Sequence, residues 1–243
     1  MRKLNYFILL LILSVAISCG KKDEAAKVNT SDEGWLPKAA ADETWPPPTI
    51  TDEVEVDLKN TGAKNYYIIF DGSGSMAGEK IEIAKKAFIR FIKSITDKSN
   101  IGLTSFDASG FHERAPLGSP KNKIIEEVNK IRAGGSTPLG GCIEIAYQKL
   151  GFQAKKQMGY GEYTLIILTD GQATDGSKMG EAVDLILKET PIAIHTIGLK
   201  IGTGHALNQP GRIYYKAAEN SEELSKGLES VLAETENFTV TDF

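Results

Sequence analysis

The chain reads as an α/β protein with a doubly wound, mainly parallel sheet covered by helices on both faces. Two observations predict this. Tyr66-Tyr67-Ile68-Ile69-Phe70 and Leu165-Ile166-Ile167-Leu168 are unbroken apolar runs, as strands buried on both faces tend to be. Amphipathic helical patterns alternate with these and further strand patterns, the order expected of crossover units in a parallel sheet.

The elements follow in sequence. The first strand ends in Asp71-Gly72-Ser73-Gly74-Ser75, a Gly-loosened turn. A helix over 80–95 places Ile81, Ala84, Phe88, Phe91, Ile92 and Ile95 on one face. Its other face, with Lys80, Lys85, Lys86, Arg90 and Lys93, reads as solvated surface. A strand follows at 100–107 and a short edge strand at 110–117. Helices are expected near 123–131, 138–150, 177–188 and 222–233, the last capped by Ser221 with Glu222 and Glu223 in its first turn. Strands at 163–168, 193–199 and 212–217 complete the sheet.

In an open sheet of this kind, ligands bind outside the carboxyl ends of the strands. Three segments place oxygen side chains there. Asp71, Ser73 and Ser75 follow the first strand, and Thr137 precedes Pro138 at the start of a helix. Asp170 precedes Gly171 after the second apolar run. Taken singly, each has an ordinary reading: a turn, an N-cap with Pro in the first helical turn, a strand exit. Oxygen-only donors in a compact turn suit a hard divalent cation.

Together, Asp71, Ser73, Ser75, Thr137 and Asp170 resemble the metal-ion-dependent adhesion site (MIDAS) of von Willebrand factor type A (VWA) domains, over residues 65–234. The resemblance implies a Rossmann-like sandwich. It also implies that Ser73 and Ser75 bind Mg²⁺ or Mn²⁺ through their hydroxyls and that Thr137 binds directly in a ligand-engaged state. Asp71 and Asp170 would act through water and hydrogen bonds. Neutral hydroxyls leave the ion electrophilic, with a position for a carboxylate from a protein partner's Asp or Glu. Asp175, in a loop beside the site, either adds charge near the metal or faces solvent.

The length of 243 residues permits one or two domains, and a 41% hydrophobic share is enough for a core. A formal net charge of −4, with no Lys/Arg-rich block of the kind that tracks phosphates, gives no sign of a nucleic-acid partner, and none is expected. Residues 1–18 read as a targeting leader, with Arg2 and Lys3 before an apolar stretch too short to span a bilayer comfortably. Its end, Val15-Ala16-Ile17-Ser18-Cys19, looks like a bacterial lipoprotein cleavage box with Ala16 in place of the usual Leu; the alternative is an ordinary secretory signal. Lipidation of Cys19 would hold the protein on the cell envelope. The residues after it, Gly20-Lys21-Lys22, favour the outer membrane over the inner. Cleavage leaves Cys142 as the one unmodified thiol, a small buried apolar residue rather than a disulfide partner.

Residues 19–60 read as a flexible tether, Pro-rich at Pro46-Pro47-Pro48, ahead of a VWA-like domain over 61–243. Within the tether, Asp32-Glu33-Gly34-Trp35-Leu36-Pro37 is echoed by Asp42-Glu43-Thr44-Trp45-Pro46-Pro47. Both tryptophans of the protein lie in this echo, which points either to docking on the domain or on a partner, or to a chance echo in a compositionally biased segment. His195 reads as an interior strand residue, His112 as part of the edge hairpin and His205 as part of a flexible loop.

The expected function is non-enzymatic binding of a protein through the metal. Loops at 76–80, 108–120, 171–178 and 202–210 would set specificity. A Mg²⁺-dependent phosphohydrolase is the enzymatic alternative. That chemistry, as in the haloacid dehalogenase family, needs an acid two residues after the first Asp, where this chain has Ser73. The spacing of a P-loop is also missing. An envelope scaffold with a vestigial metal site is the third reading.

Overall fold

A computed structural model describes residues 45–46 and 54–236, with side chains to 234. The leader, Cys19 and Trp35 lie outside the described residues. Among those described, no helix is long and apolar enough to cross a membrane.

Six strands form one sheet in the order β3-β2-β1-β4-β5-β6. They are β1 (Lys64–Asp71), β2 (Asn100–Asp107), β3 (Gly110–Ala115), β4 (Glu162–Thr169), β5 (Ala193–Leu199) and β6 (Tyr214–Ala218). All neighbours are parallel except the β2–β3 edge hairpin. The expected fold class is the observed one. The helices are α1 (Glu79–Ser94), α2 (Lys121–Lys130), α3 (Leu139–Lys156), α4 (Gly176–Glu189) and α5 (Ser221–Glu236).

Alternation along β1 sorts its apolar run between two cores. Tyr66, Ile68 and Phe70 pack with α1, α2 and α5; Tyr67 and Ile69 pack with α3 and α4. Both faces are therefore buried, which is why the run Tyr66–Phe70 shows no alternation of polar and apolar positions. The chain builds β2 and β3 on one side of β1, then returns to lay β4 on the other. The carboxyl ends of β1 and β4 thus flank the point where strand order reverses, and Asp71 and Asp170 sit there.

Several boundaries differ from expectation. Helix α3 runs six residues past 150, because Gly151 and Ala154 lie on its buried face and Gly151 does not end it. Gly159, at φ 81°, closes it instead, its N–H donating to the Ala154 carbonyl at 2.8 Å. The cap of α5 is Asn220, not Ser221: Asn220 Oδ1 accepts the N–H groups of Glu222 and Glu223 at 3.0 Å each. Met76 is fully buried, so the turn after β1 is anchored in the core at its far end.

Trp45 packs into the α3/α4 core, 6% exposed, edge-on to Tyr163 with centroids 5.1 Å apart. Further along, Asp57 N–H donates to the Lys156 carbonyl, and the Gln157 side-chain amide donates to the carbonyls of Asn60, Thr61 and Ala63. Cys142 is fully buried and unbridged, and burial pushes its thiol far up, out of reactive range.

Candidate functional site

Three loops meet at the switch point, and backbone hydrogen bonds lace them together. Gly134 N–H donates to the Gly72 carbonyl at 2.8 Å and Gly74 N–H to the Gly135 carbonyl at 3.1 Å, joining the β1 exit to the segment before α3. Thr174 N–H donates to the Thr137 carbonyl at 2.9 Å, joining that segment to the β4 exit. The lacing requires glycine at two positions. A Cβ on Gly72 would lie 2.7 Å from Ile131 Cγ2 and 2.9 Å from the Phe106 carbonyl oxygen, and Gly135 holds φ 79°.

Within this frame, Asp71 is fully buried at the end of β1. Its Oδ1 accepts the Ser73 N–H at 2.8 Å and its Oδ2 the Thr169 hydroxyl at 2.6 Å. Burial pushes its carboxyl above the usual range; the bonds from Ser73 and Thr169 oppose that shift, and the nearby charge of Asp170 adds to it. The Ser73 and Ser75 hydroxyls are 3.0 Å apart, and Ser75 donates to Asp170 Oδ1 at 2.6 Å. Ser75 is exposed, so this row of oxygens opens to solvent. Thr137 joins the group through its backbone. Its hydroxyl makes no hydrogen bond among the described residues, although the residue is 6% exposed.

The N-terminus of α3 explains why Thr137 is left free. Asp175 Oδ1 accepts the Gly140 N–H and its Oδ2 the Gly141 N–H, both at 2.9 Å. The helix is thus capped from another loop, and the Thr137 side chain does not cap it. Asp175, expected either to charge the metal or to face solvent, does neither as its main task.

Three further residues shape the site. Lys80, read as part of a solvated face, places Nζ 2.6 Å from Asp170 Oδ2. His205, expected in a flexible loop, is 3% exposed. Its Nδ1 accepts the Leu207 N–H, so Nε2 donates to the Gly171 carbonyl at 2.8 Å, clamping the 202–210 loop to the β4 exit. Burial lowers the His205 pKa, in keeping with the neutral ring. Asp107 closes the β2 exit by accepting from Ser109, Arg114 and the Arg132 N–H. Burial pushes its pKa up, but these bonds and the Arg114 charge outweigh it and hold the carboxyl below its usual range. Only Lys80 had a local signal, five residues after Ser75 and at a helix start.

The donors suit a hard cation: two carboxylates and three hydroxyls, all oxygen. No group of three or more His, Cys, Asp or Glu arranged for a metal occurs among the described residues. A site rich in neutral hydroxyls has a different make-up from such a cluster.

The von Willebrand factor type A domain model matches residues 65–243, and the chain belongs to this family. Domains of the family serve as protein-interaction and adhesion modules, with a divalent metal often bound at the adhesion motif. The chain is 25% identical over 156 residues to inter-alpha-trypsin inhibitor heavy chain 4 of Mus musculus, a match covering 62% of this chain and 16% of that protein. Among solved structures it resembles a von Willebrand factor type A protein from Catenulispora acidiphila, at TM-score 0.59 and 17% identity. That match covers 72% of this chain and 43% of the other. It also resembles proximal thread matrix protein 1 from the mussel byssus, solved with a zinc-occupied MIDAS motif, at TM-score 0.58 and 20% identity. This one covers 73% of this chain and 48% of that one.

Proposed function

We propose that this chain is a lipid-anchored cell-envelope protein whose VWA domain binds a protein partner through a divalent ion. Ser73 and Ser75 hold Mg²⁺ or Mn²⁺ by their hydroxyls, Thr137 supplies a third oxygen when a ligand engages, and Asp71 and Asp170 fix the hydroxyls and the ion's waters. An Asp or Glu carboxylate of the partner completes the shell. Lipidated Cys19 anchors the chain, on the outer membrane rather than the inner, and residues 19–60 link it to the domain over 61–243, with Trp45 packed on that domain.

The observation that carries this reading is the row Ser73–Ser75–Asp170, with spacings of 3.0 and 2.6 Å, open at Ser75. The unbonded Thr137 hydroxyl stands on a loop laced to it. A phosphohydrolase gains no comparable support. Asp71 has both oxygens committed to Thr169 and the Ser73 N–H in a fully buried position, which makes it a poor nucleophile.

Calorimetric titration of Mg²⁺ and Mn²⁺ into the purified protein tests the site. One-to-one binding is expected, lost in Ser73→Ala with the melting temperature in chelator unchanged. Absence of heat in the wild type overturns the metal reading. The anchor is tested separately: Cys19→Ser should move the protein from the membrane fraction to the soluble one.

A further inference from the structure

Asp170 presents an electrostatic problem that an ion alone does not solve. Its carboxylate is fully buried, close enough to buried Asp71 for the two charges to interact unfavourably. Two carboxylates in a low-dielectric setting need a counter-charge whether or not metal is present. Lys80 provides one. Its ammonium lies 2.6 Å from Asp170 Oδ2, while Oδ1 accepts from Ser75, and the Lys80 side chain is only 28% exposed. Among the described residues no other Lys or Arg pairs with Asp170 or Asp71. The position is built, since Lys80 is the second residue of α1 and Met76, just upstream, is locked in the core.

We infer that Lys80 is the resident counter-cation of the site. It balances Asp170 in the metal-free protein and opposes the incoming divalent ion, so that it sets metal affinity. The second half of this inference rests on the metal site proposed above. An ion taken up by Ser73 and Ser75 would lie beside the carboxylate that Lys80 holds, since Ser75 Oγ is 2.6 Å from Asp170 Oδ1. The ion and the ammonium then repel each other and draw on the same negative charge. Lys80 thereby keeps the metal-free domain folded and makes metal uptake weaker and reversible.

The test compares wild type, Lys80→Met, Lys80→Arg and the double variant Lys80→Met/Asp170→Asn. The readouts are melting temperature in chelator and calorimetric titration with Mg²⁺ and Mn²⁺. Lys80→Met should melt about 5 °C lower in chelator, bind Mg²⁺ about tenfold more tightly, and recover its lost melting temperature when the ion is added. Lys80→Arg keeps the charge and should bind within about twofold of wild type. A gain in affinity is the decisive readout, because damage to the fold would weaken binding.

If Lys80→Met does not fold in chelator, the double variant, which removes the buried negative charge, should fold. A double variant that also fails makes Lys80 a packing residue and overturns the inference. Metal binding in the wild type with unchanged affinity and melting temperature in Lys80→Met overturns it alone. Absence of binding in both proteins overturns it together with the metal reading.

Discussion

Asp175 caps helix α3 from another loop and leaves the Thr137 hydroxyl out of that task. A residue just before a helix usually spends its side-chain oxygen on the first N–H groups. Here Asp175 reaches across from the β4 exit to take the N–H groups of Gly140 and Gly141. Asp175→Ala should therefore lower unfolding free energy by about 1–2 kcal/mol, read from urea denaturation. Ser73→Ala should leave that quantity within about 0.5 kcal/mol of wild type. Equal urea midpoints for Asp175→Ala and wild type would mean that water replaces the cap. The contrast shows what a sequence displays and what it hides. Asp71, Ser73 and Ser75 stand within five residues of one another, so their shared turn is visible as a motif. Asp175 lies 35 residues from Gly140, and its role exists only once α3 and the β4 exit are folded together. Lys80 was misread for a related reason, since periodicity assigns it to the polar face but cannot show that this end of the face meets a buried carboxylate.

Among the elements, β1 and β4 were plain in the sequence because burial on both faces leaves long apolar runs. Helix ends and the β6 boundary were not, because tertiary contacts decide them. Helix α5 shows how such contacts carry pH dependence. It packs against β5, and His195 on β5 is 4% exposed, stacked on Tyr214 at 4.5 Å. Burial lowers the His195 pKa from 6.5 to about 4. His195 Nδ1 is 3.7 Å from Glu234 Oε2 of α5, within ion-pair distance, yet the ring is neutral at pH 7 and the contact is not an ion pair there. Because the folded pKa is depressed, the unfolded chain binds more protons between pH 6.5 and 4. The contribution of a neutral His195 to stability is whole above that window and is lost as pH falls through it. Glu234 acts in the opposite sense, since burial raises its pKa despite the charge of Lys216. Urea midpoints measured from pH 7 to pH 4.5 should fall, and His195→Gln should flatten the fall. An unchanged slope in the variant would assign the acid sensitivity to other groups.

For the molecule as a whole, the sheet separates two ends with different work. The carboxyl ends of β1 and β4 carry the oxygen-lined site, while Trp45 packs on Tyr163, the second residue of β4, at the other end. Eight residues of strand separate those ends, about 25 Å at 3.3 Å per residue. Trp45 therefore packs at the end of the sheet opposite the proposed metal site. A solvated linker gains little from large aromatics, and the burial of Trp45 against the domain accounts for that member of the Trp35/Trp45 echo. Trp45→Ala should lower unfolding free energy by about 3 kcal/mol. At such a distance with no shared contacts, it should leave Mg²⁺ affinity within about twofold of wild type. The stability effects of Trp45→Ala and Asp175→Ala should then add to within about 0.5 kcal/mol. A loss of Mg²⁺ affinity in Trp45→Ala would instead show that the attachment end and the binding end are coupled through β4, and that tension on the tether reaches the site.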